Sequence, residues 1–215
     1  MTQEAKQPNG RRRGFTLLEV IVATATAAVL FGIALAILLS TNQTANRTMG
    51  HESVLQQAQL AMRQVRSVIE ATVWPEDLAT APPAGAFVFT KDTLTLLSSH
   101  EPTPAGQFCL YTLANTKQSL GQKEGARTVA GYERLEPATQ KPIGAFQPFG
   151  KEFETSIAFR YATQLGPDLQ PVWQESLPAG QKPRLIWVEL IMRNADIHDH
   201  LGRPEEVRLE TAVSL

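Results

Sequence analysis

Twenty consecutive residues, Val20 to Leu39, carry no charge and include only two polar side chains, Thr24 and Thr26. A helix of that length, rising 1.5 Å per residue, spans about 30 Å, the thickness of a bilayer's hydrocarbon core. Threonine is tolerated there because its hydroxyl can bond back to the helix carbonyls. The stretch therefore either crosses a membrane or targets the chain to one. Arg11, Arg12 and Arg13 precede it and no basic cluster follows directly, so the charge bias keeps the N-terminus in the cytoplasm and puts the bulk of the chain on the other side. With Lys6 and Glu4, these arginines give residues 1–14 a charge of +3, and the rest of the chain carries −4 of the net −1. An ordinary signal peptide has an apolar core of about 7–15 residues, shorter than this run, and a small-residue cleavage site, which is not found at the polar boundary after Leu39. Arg12-Arg13-Gly14-Phe15 gives part of a twin-arginine pattern but lacks the same site. A simple anchor fits the run and leaves one residue unexplained: Glu19, a carboxylate at the very edge of the apolar segment. The helix dipole favours a negative charge at an N-terminus, but by less than membrane burial of a charge costs.

Gly14-Phe15-Thr16-Leu17-Leu18-Glu19, followed by about twenty apolar residues, closely resembles the processing signal of type IV pilins and type II secretion pseudopilins. The resemblance implies that a membrane prepilin peptidase cuts between Gly14 and Phe15 and methylates the new amino group of Phe15. Residues 1–14 are then a cleaved basic leader, with Arg11–Arg13 setting topology. Residues 15–39 remain as a transmembrane helix in the bacterial inner membrane. The resemblance also implies that the Glu19 carboxylate meets the N-terminal amine of a neighbouring subunit, fixing register as helices pack into a filament.

Beyond Leu39 the helical pattern continues with different chemistry. Leu55, Ala58, Met62, Val65, Ile69 and Val73 recur at spacings of three or four, flanked by Ala61 and Val68, while Gln56, Gln59, Arg63, Arg66 and Glu70 take other faces. Residues 40–74 thus read as an amphipathic helix stopped by Trp74-Pro75. One nearly continuous helix from Phe15 to about Val73 would run for roughly 88 Å, with Asn42 and Gly50 marking a weak point between its halves.

The remainder, 75–215, reads as strand and turn. Residues 86–90 and 93–98 suggest a hairpin around Lys91-Asp92, and further strands are expected at 108–113, 127–135, 155–161, 184–192 and 206–213. Residues 115–126 are polar and glycine-bearing, which predicts an exposed loop. A long helix followed by a run of strands is an α+β pattern, an antiparallel sheet or sheets on the helix's apolar stripe, and the family resemblance makes it pilin-like.

Phe159-Arg160-Tyr161, Gly166, Trp173, Leu177-Pro178, Arg184, Val188 and Leu190, together with the Gln-Ala and Arg-Val pairs of residues 55–73, are similar to the J-type minor pseudopilins. Residues 179–182 depart from the compact turn of that family. The implied role is structural: with other minor pseudopilins the protein primes a periplasmic filament built from the major pseudopilin, and an ATPase elsewhere drives assembly. Another minor pilin, a W-like component of type IV pili, and a membrane-anchored periplasmic enzyme are the alternatives.

Little in the sequence carries chemistry. Cys109 is the only cysteine, which excludes an intrachain disulfide and multi-cysteine metal sites, and its apolar neighbours make it a buried hydrophobe. Asp196-Ile197-His198-Asp199-His200 has metal-ligand residue types, but Leu201-Gly202-Arg203-Pro204 follows as a turn and the run reads as a solvated hairpin tip. His51 and His100 stand alone in polar contexts. No phosphate-binding loop, zinc-protease or nucleophile-elbow motif is present. The sequence therefore predicts no enzyme activity, cofactor or metal, and the near-neutral charge predicts no nucleic-acid partner.

Overall fold

The computed structural model describes residues 16–83, 85–102, 108–119, 126–150, 152–178, 180–198 and 203–215. The chain divides into two compact units, Met1–Thr48 and Met49–Leu215. Among the described residues one long α-helix, α1 (Leu17–Glu70), and a short 3-10 turn at Pro75–Asp77 are followed by nine strands that pair only antiparallel, giving an α+β chain.

In the first unit every residue from Thr16 to Thr44 is exposed, including Leu30, Phe31 and Leu38. The polar side chains of the apolar run turn inward to the helix's own backbone. Thr24 Oγ1 donates to the carbonyls of Val20 and Ile21 (both 3.0 Å), and Thr26 Oγ1 to that of Val22 (2.8 Å). The lateral surface left is almost purely hydrocarbon, and the helix is long and apolar enough to cross a membrane. It continues through Asn42 and Gly50 without a break, where the sequence suggested a weak point.

In the second unit α1 buries Val54, Ala58, Ala61, Val65, Val68 and Ile69. The stripe is rotated relative to the sequence expectation. Leu55 and Met62 pack only partly against the core, while the smaller Ala61 and Val68 lie at its centre, where short side chains let the helix backbone approach closely. The helix ends at Glu70, three residues before the expected Val73, because strand β2 (Thr93–Ser98) captures the chain. Val73 N–H donates to the Leu97 carbonyl (2.9 Å), and Thr72 bridges to Ser98. Ser98 Oγ donates to the Val68 carbonyl (3.0 Å) and Ser99 N–H to that of Ala71 (3.0 Å). Carbonyls that a helix end leaves without partners are thereby satisfied.

Two sheets complete the core. The first is a meander in the order β1 (Val88–Phe89), β2, β3 (Cys109–Ser119), β4 (Ala126–Leu135), β5 (Gln147–Pro148). The second has the order β7 (Pro171–Gln174), β6 (Glu154–Leu165), β8 (Leu185–His198), β9 (Pro204–Ser214). Alternate residues of β6 and β8, Ile157, Phe159, Tyr161, Ile186, Val188, Leu190 and Met192, are buried in one apolar cluster with the α1 stripe and with Leu94, Leu96 and Leu113 of the first sheet. The period-2 pattern is what a sheet with one covered face requires. Trp74 stacks on Phe87 (5.3 Å between ring centroids) and Phe89 meets Tyr161 edge to face (5.3 Å), closing the core beyond the helix's end.

Residues 115–119 are strand, not loop: Asn115, Thr116, Lys117, Gln118 and Ser119 pair with Ala130, Val129, Thr128, Arg127 and Ala126. Ladder bonds use the backbone, so polar side chains do not prevent a hairpin. Strands β5 and β7 were not anticipated at all.

Candidate functional site

The start of α1 is where the charged and apolar signals of the sequence meet. Thr16 is the residue before the helix, and its carbonyl accepts the first helical bond from Val20 N–H (3.2 Å). Thr16 Oγ1 accepts from Glu19 N–H (3.3 Å), while Glu19 Oε2 accepts from both Thr16 N–H (2.9 Å) and Thr16 Oγ1 (3.1 Å). This is a reciprocal capping box, a threonine N-cap with a glutamate three residues on. It satisfies N–H groups that a helix start otherwise leaves bare, and the helix dipole favours the carboxylate there. Both Thr16 bonds use Oε2, so among the described residues Oε1 of Glu19 carries no hydrogen bond.

The box gives Glu19 a function within one chain that the sequence reading passed over, although the signal, Thr16-x-x-Glu19, was in view. Arg11, Arg12, Arg13, Gly14 and Phe15 lie outside the described residues.

In the second unit, the nearest approach to a nucleophile and base is Ser67 Oγ with His100 Nε2, at 3.4 Å. Ser67 Oγ donates to the Gln64 carbonyl (3.0 Å), which directs its proton away from the imidazole. His100 thus has a partner, contrary to expectation, and so does His51, whose Nδ1 lies 2.6 Å from Glu205 Oε1. That contact joins α1 to the start of β9, a pairing 154 residues apart with no local signal. Cys109 is buried as expected, and desolvation pushes its thiol up, keeping it protonated and inert.

Strand β8 runs to His198, and His198 pairs with Pro204, so the arms of the anticipated hairpin are longer than expected. Asp199 and His200, and the side chains of Asp196 and His198, lie outside what is described. Among the described residues no cluster of three or more His, Cys, Asp or Glu could hold a metal.

Two of the concavities hold charged side chains that pair with one another. One of about 590 Å³ is lined by Glu154, Arg193, Arg203, Glu205 and Glu206. There Arg193 Nε donates to Glu206 Oε2 (2.8 Å), a bond that raises the guanidinium's pKa further. Another of about 240 Å³ has Trp74, Phe87 and Phe89 in its wall. Lys182 Nζ stands 4.7 Å from the centre of the Trp74 ring and 3.9 Å from Glu76.

Compared with models of protein families, with characterised proteins and with solved structures, the chain finds no match.

Proposed function

We propose that the chain is a pilin-like minor pseudopilin, of J type, and a structural subunit of the periplasmic pseudopilus tip in a type II secretion system. The observation that carries this reading is Gly14-Phe15-Thr16-Leu17-Leu18-Glu19 set directly ahead of an exposed apolar span behind a basic leader. Prepilin peptidase cuts after Gly14 and methylates Phe15. The mature chain stays in the inner membrane with its sheets in the periplasm, where it meets other minor pseudopilins and the major pseudopilin.

The geometry of the first turn is compatible with both duties of Glu19. Oε2 holds Thr16, and Oε1 is left to receive a cation. A neighbour's amino terminus arriving at Oε1 need not dismantle the cap. A long helix followed by antiparallel sheets is the layout this role asks for. The subunit carries no chemistry of its own and needs no cofactor.

Mass spectrometry of the protein purified from membranes tests the reading. The expected N-terminus is N-methyl-Phe15. An intact Met1, or a chain beginning after Leu39, would overturn it.

A further inference from the structure

Most strand edges in residues 49–215 are closed. At one side of the first sheet, two-residue β1 is covered by Leu177, whose N–H donates to the Phe89 carbonyl (3.1 Å), and the end of β2 is held by Val73. At the other side, β5 and the bonds of Ile143 to Arg134 and Phe149 to Ala130 cover β4. In the second sheet, β7 is short and begins with a proline, and the rest of the β6 edge is plugged by Asn115 and by the Lys91 carbonyl, which accepts from Phe159 N–H (2.8 Å). Strand β9 differs. It pairs with β8 on one side for its whole eleven residues, and among the described residues nothing pairs with its other side. It is the longest open edge described.

The register shows which groups face outward. Leu215 N–H donates to the Arg184 carbonyl (3.0 Å), in line with the pairing of Ser214 with Leu185. Antiparallel ladders alternate bonded and non-bonded pairs, so odd-numbered β9 residues bond to β8. The N–H and C=O groups of Glu206, Arg208, Glu210 and Ala212 therefore point to the open edge. The same alternation aims Ile157 and Phe159 of β6 away from β8, and both find partners there.

The charges on this edge are incomplete. Glu210 stands directly opposite Glu189, an arrangement that destabilises a sheet. Arg208 offsets Glu189, to which its Nε bonds (3.2 Å), and its Nη2 lies 3.8 Å from Glu206, so the charge left over is that of Glu210. Among the described residues Glu210 has no ion pair. A strand laid along the edge puts a side chain beside Glu210, and a cation there would balance the Glu189–Glu210 pair. A second copy laid edge to edge through the same segment, Glu206 to Ala212, would offer only Arg208 as a cation, and that side chain is already engaged.

We propose that the open edge of β9 is a docking site for an extended segment of a different polypeptide, which adds as a fifth strand of that sheet with a lysine or arginine beside Glu210. Main-chain bonds from Glu206 to Ala212 supply affinity, and alternate side chains supply selectivity. On the opposite face the added strand lies next to Leu209, which is packed against the core, so the segment alternates basic with apolar residues. This inference concerns residues 49–215 and is independent of processing at Gly14.

Two end-blocked, fluorescein-labelled peptides of about nine residues, a typical strand length, test it on the full-length protein in detergent by fluorescence anisotropy. Both alternate with valine; one carries Lys-x-Glu-x-Lys and the other the reversed charges Glu-x-Lys-x-Glu. The first is expected to bind at least about tenfold more tightly, and Glu210→Lys, which sets a cation against the peptide's lysine, should remove most of that advantage. Glu210→Pro removes an outward N–H without touching the bonds to β8, and should abolish binding while the melting curve is unchanged. If that variant unfolds, N-methylation of alternate peptide amides blocks the same bonds and should abolish binding to the wild-type chain. Absence of binding by either peptide at about 1 mM, equal binding by both, or binding indifferent to backbone methylation would overturn the proposal. So would a dimer that Glu210→Lys dissociates, which would make a second copy the occupant.

Discussion

The side-chain amide of Asn115 brackets the backbone of Ile157: Oδ1 accepts from Ile157 N–H (2.9 Å) and Nδ2 donates to Ile157 C=O (2.8 Å). One side chain of the first sheet thus stands in for a missing strand beside β6. Asn115→Leu removes both bonds and leaves two part-buried backbone groups without partners. At about 1 kcal/mol for each lost bond, the expected loss is about 2 kcal/mol, or a fall in Tm of about 4–8 °C for a unit of this size. Asn115→Asp should be worse at neutral pH, because it sets a part-buried carboxylate oxygen against the Ile157 carbonyl oxygen where Nδ2 donated. Thermal unfolding followed by circular dichroism checks both, and an unchanged Tm for Asn115→Leu would mean that the seam is held elsewhere.

Two buried tyrosines should respond in opposite ways to loss of the hydroxyl. Tyr161 OH donates to the Thr90 carbonyl (2.7 Å), so Tyr161→Phe should cost about 1 kcal/mol. Tyr111 is fully buried and its hydroxyl has no hydrogen-bond partner among the described residues, so Tyr111→Phe should be neutral or stabilising at neutral pH. Urea unfolding of the two variants decides the matter.

The same burial fixes a sign for alkaline pH. Desolvation, with smaller help from Glu101 and Cys109, pushes Tyr111 up to about 12, and desolvation raises Tyr161 further. A phenol whose folded pKa exceeds its unfolded value of about 10 holds its proton more tightly in the native state. That stabilisation is complete below about pH 10 and is lost as pH rises toward and beyond 12. Stability measured by urea titration should therefore fall across that window, less steeply in Tyr111→Phe than in the wild type. Identical slopes would show that other groups drive alkaline unfolding.

Local periodicity and local chemistry were legible in the sequence, and long-range closure was not. The apolar run and the strand at 184–192 each follow from a few adjacent residues, whereas the helix stops at Glu70, ahead of the expected breaker at Trp74-Pro75, because distant β2 captures the chain. Thr16 and Glu19 were equally readable as a cap. By contrast, Asn115 pairs with Ile157 and His51 with Glu205 only because distant elements meet, and nothing near either residue marks the partner. Residues 115–119 misled for a related reason: their polar letters describe a surface, while their backbone groups are spent on β4. The stripe of α1 includes Ala58, Val65 and Ile69 as expected, but the flanking Ala61 and Val68 are buried while Leu55 and Met62 pack only partly, because which side of the stripe faces the sheets is set by distant strands.

Gly131 is required for space. A Cβ there would lie 2.3 Å from the Gln147 carbonyl oxygen and 2.6 Å from the Phe146 ring, at the point where β5 crosses β4. Gly131→Ala must push the 146–148 segment away, at a cost of about 1–3 kcal/mol. The midpoint of urea unfolding should fall accordingly. An unshifted midpoint would show that this segment adjusts freely and contributes little to the sheet.

The two duties assigned to Glu19 can be separated by choosing the replacement. A capping box accepts glutamine as well as glutamate at its third position, so Glu19→Gln keeps the cap and removes only the charge, whereas Thr16→Ala removes the hydroxyl and keeps the charge. If a neighbour's ammonium is what the carboxylate meets, Glu19→Gln should lose filament priming and export as completely as Glu19→Ala, while Thr16→Ala retains them. If helix initiation is what matters, the order reverses. In neither case should unfolding of residues 49–215 change, because Thr16 and Glu19 belong to the other compact unit and are exposed. Export of a secreted reporter, read beside the melting curve of each variant, distinguishes the outcomes. Normal export by Glu19→Gln would leave the carboxylate as a cap alone and remove the electrostatic basis for register between subunits.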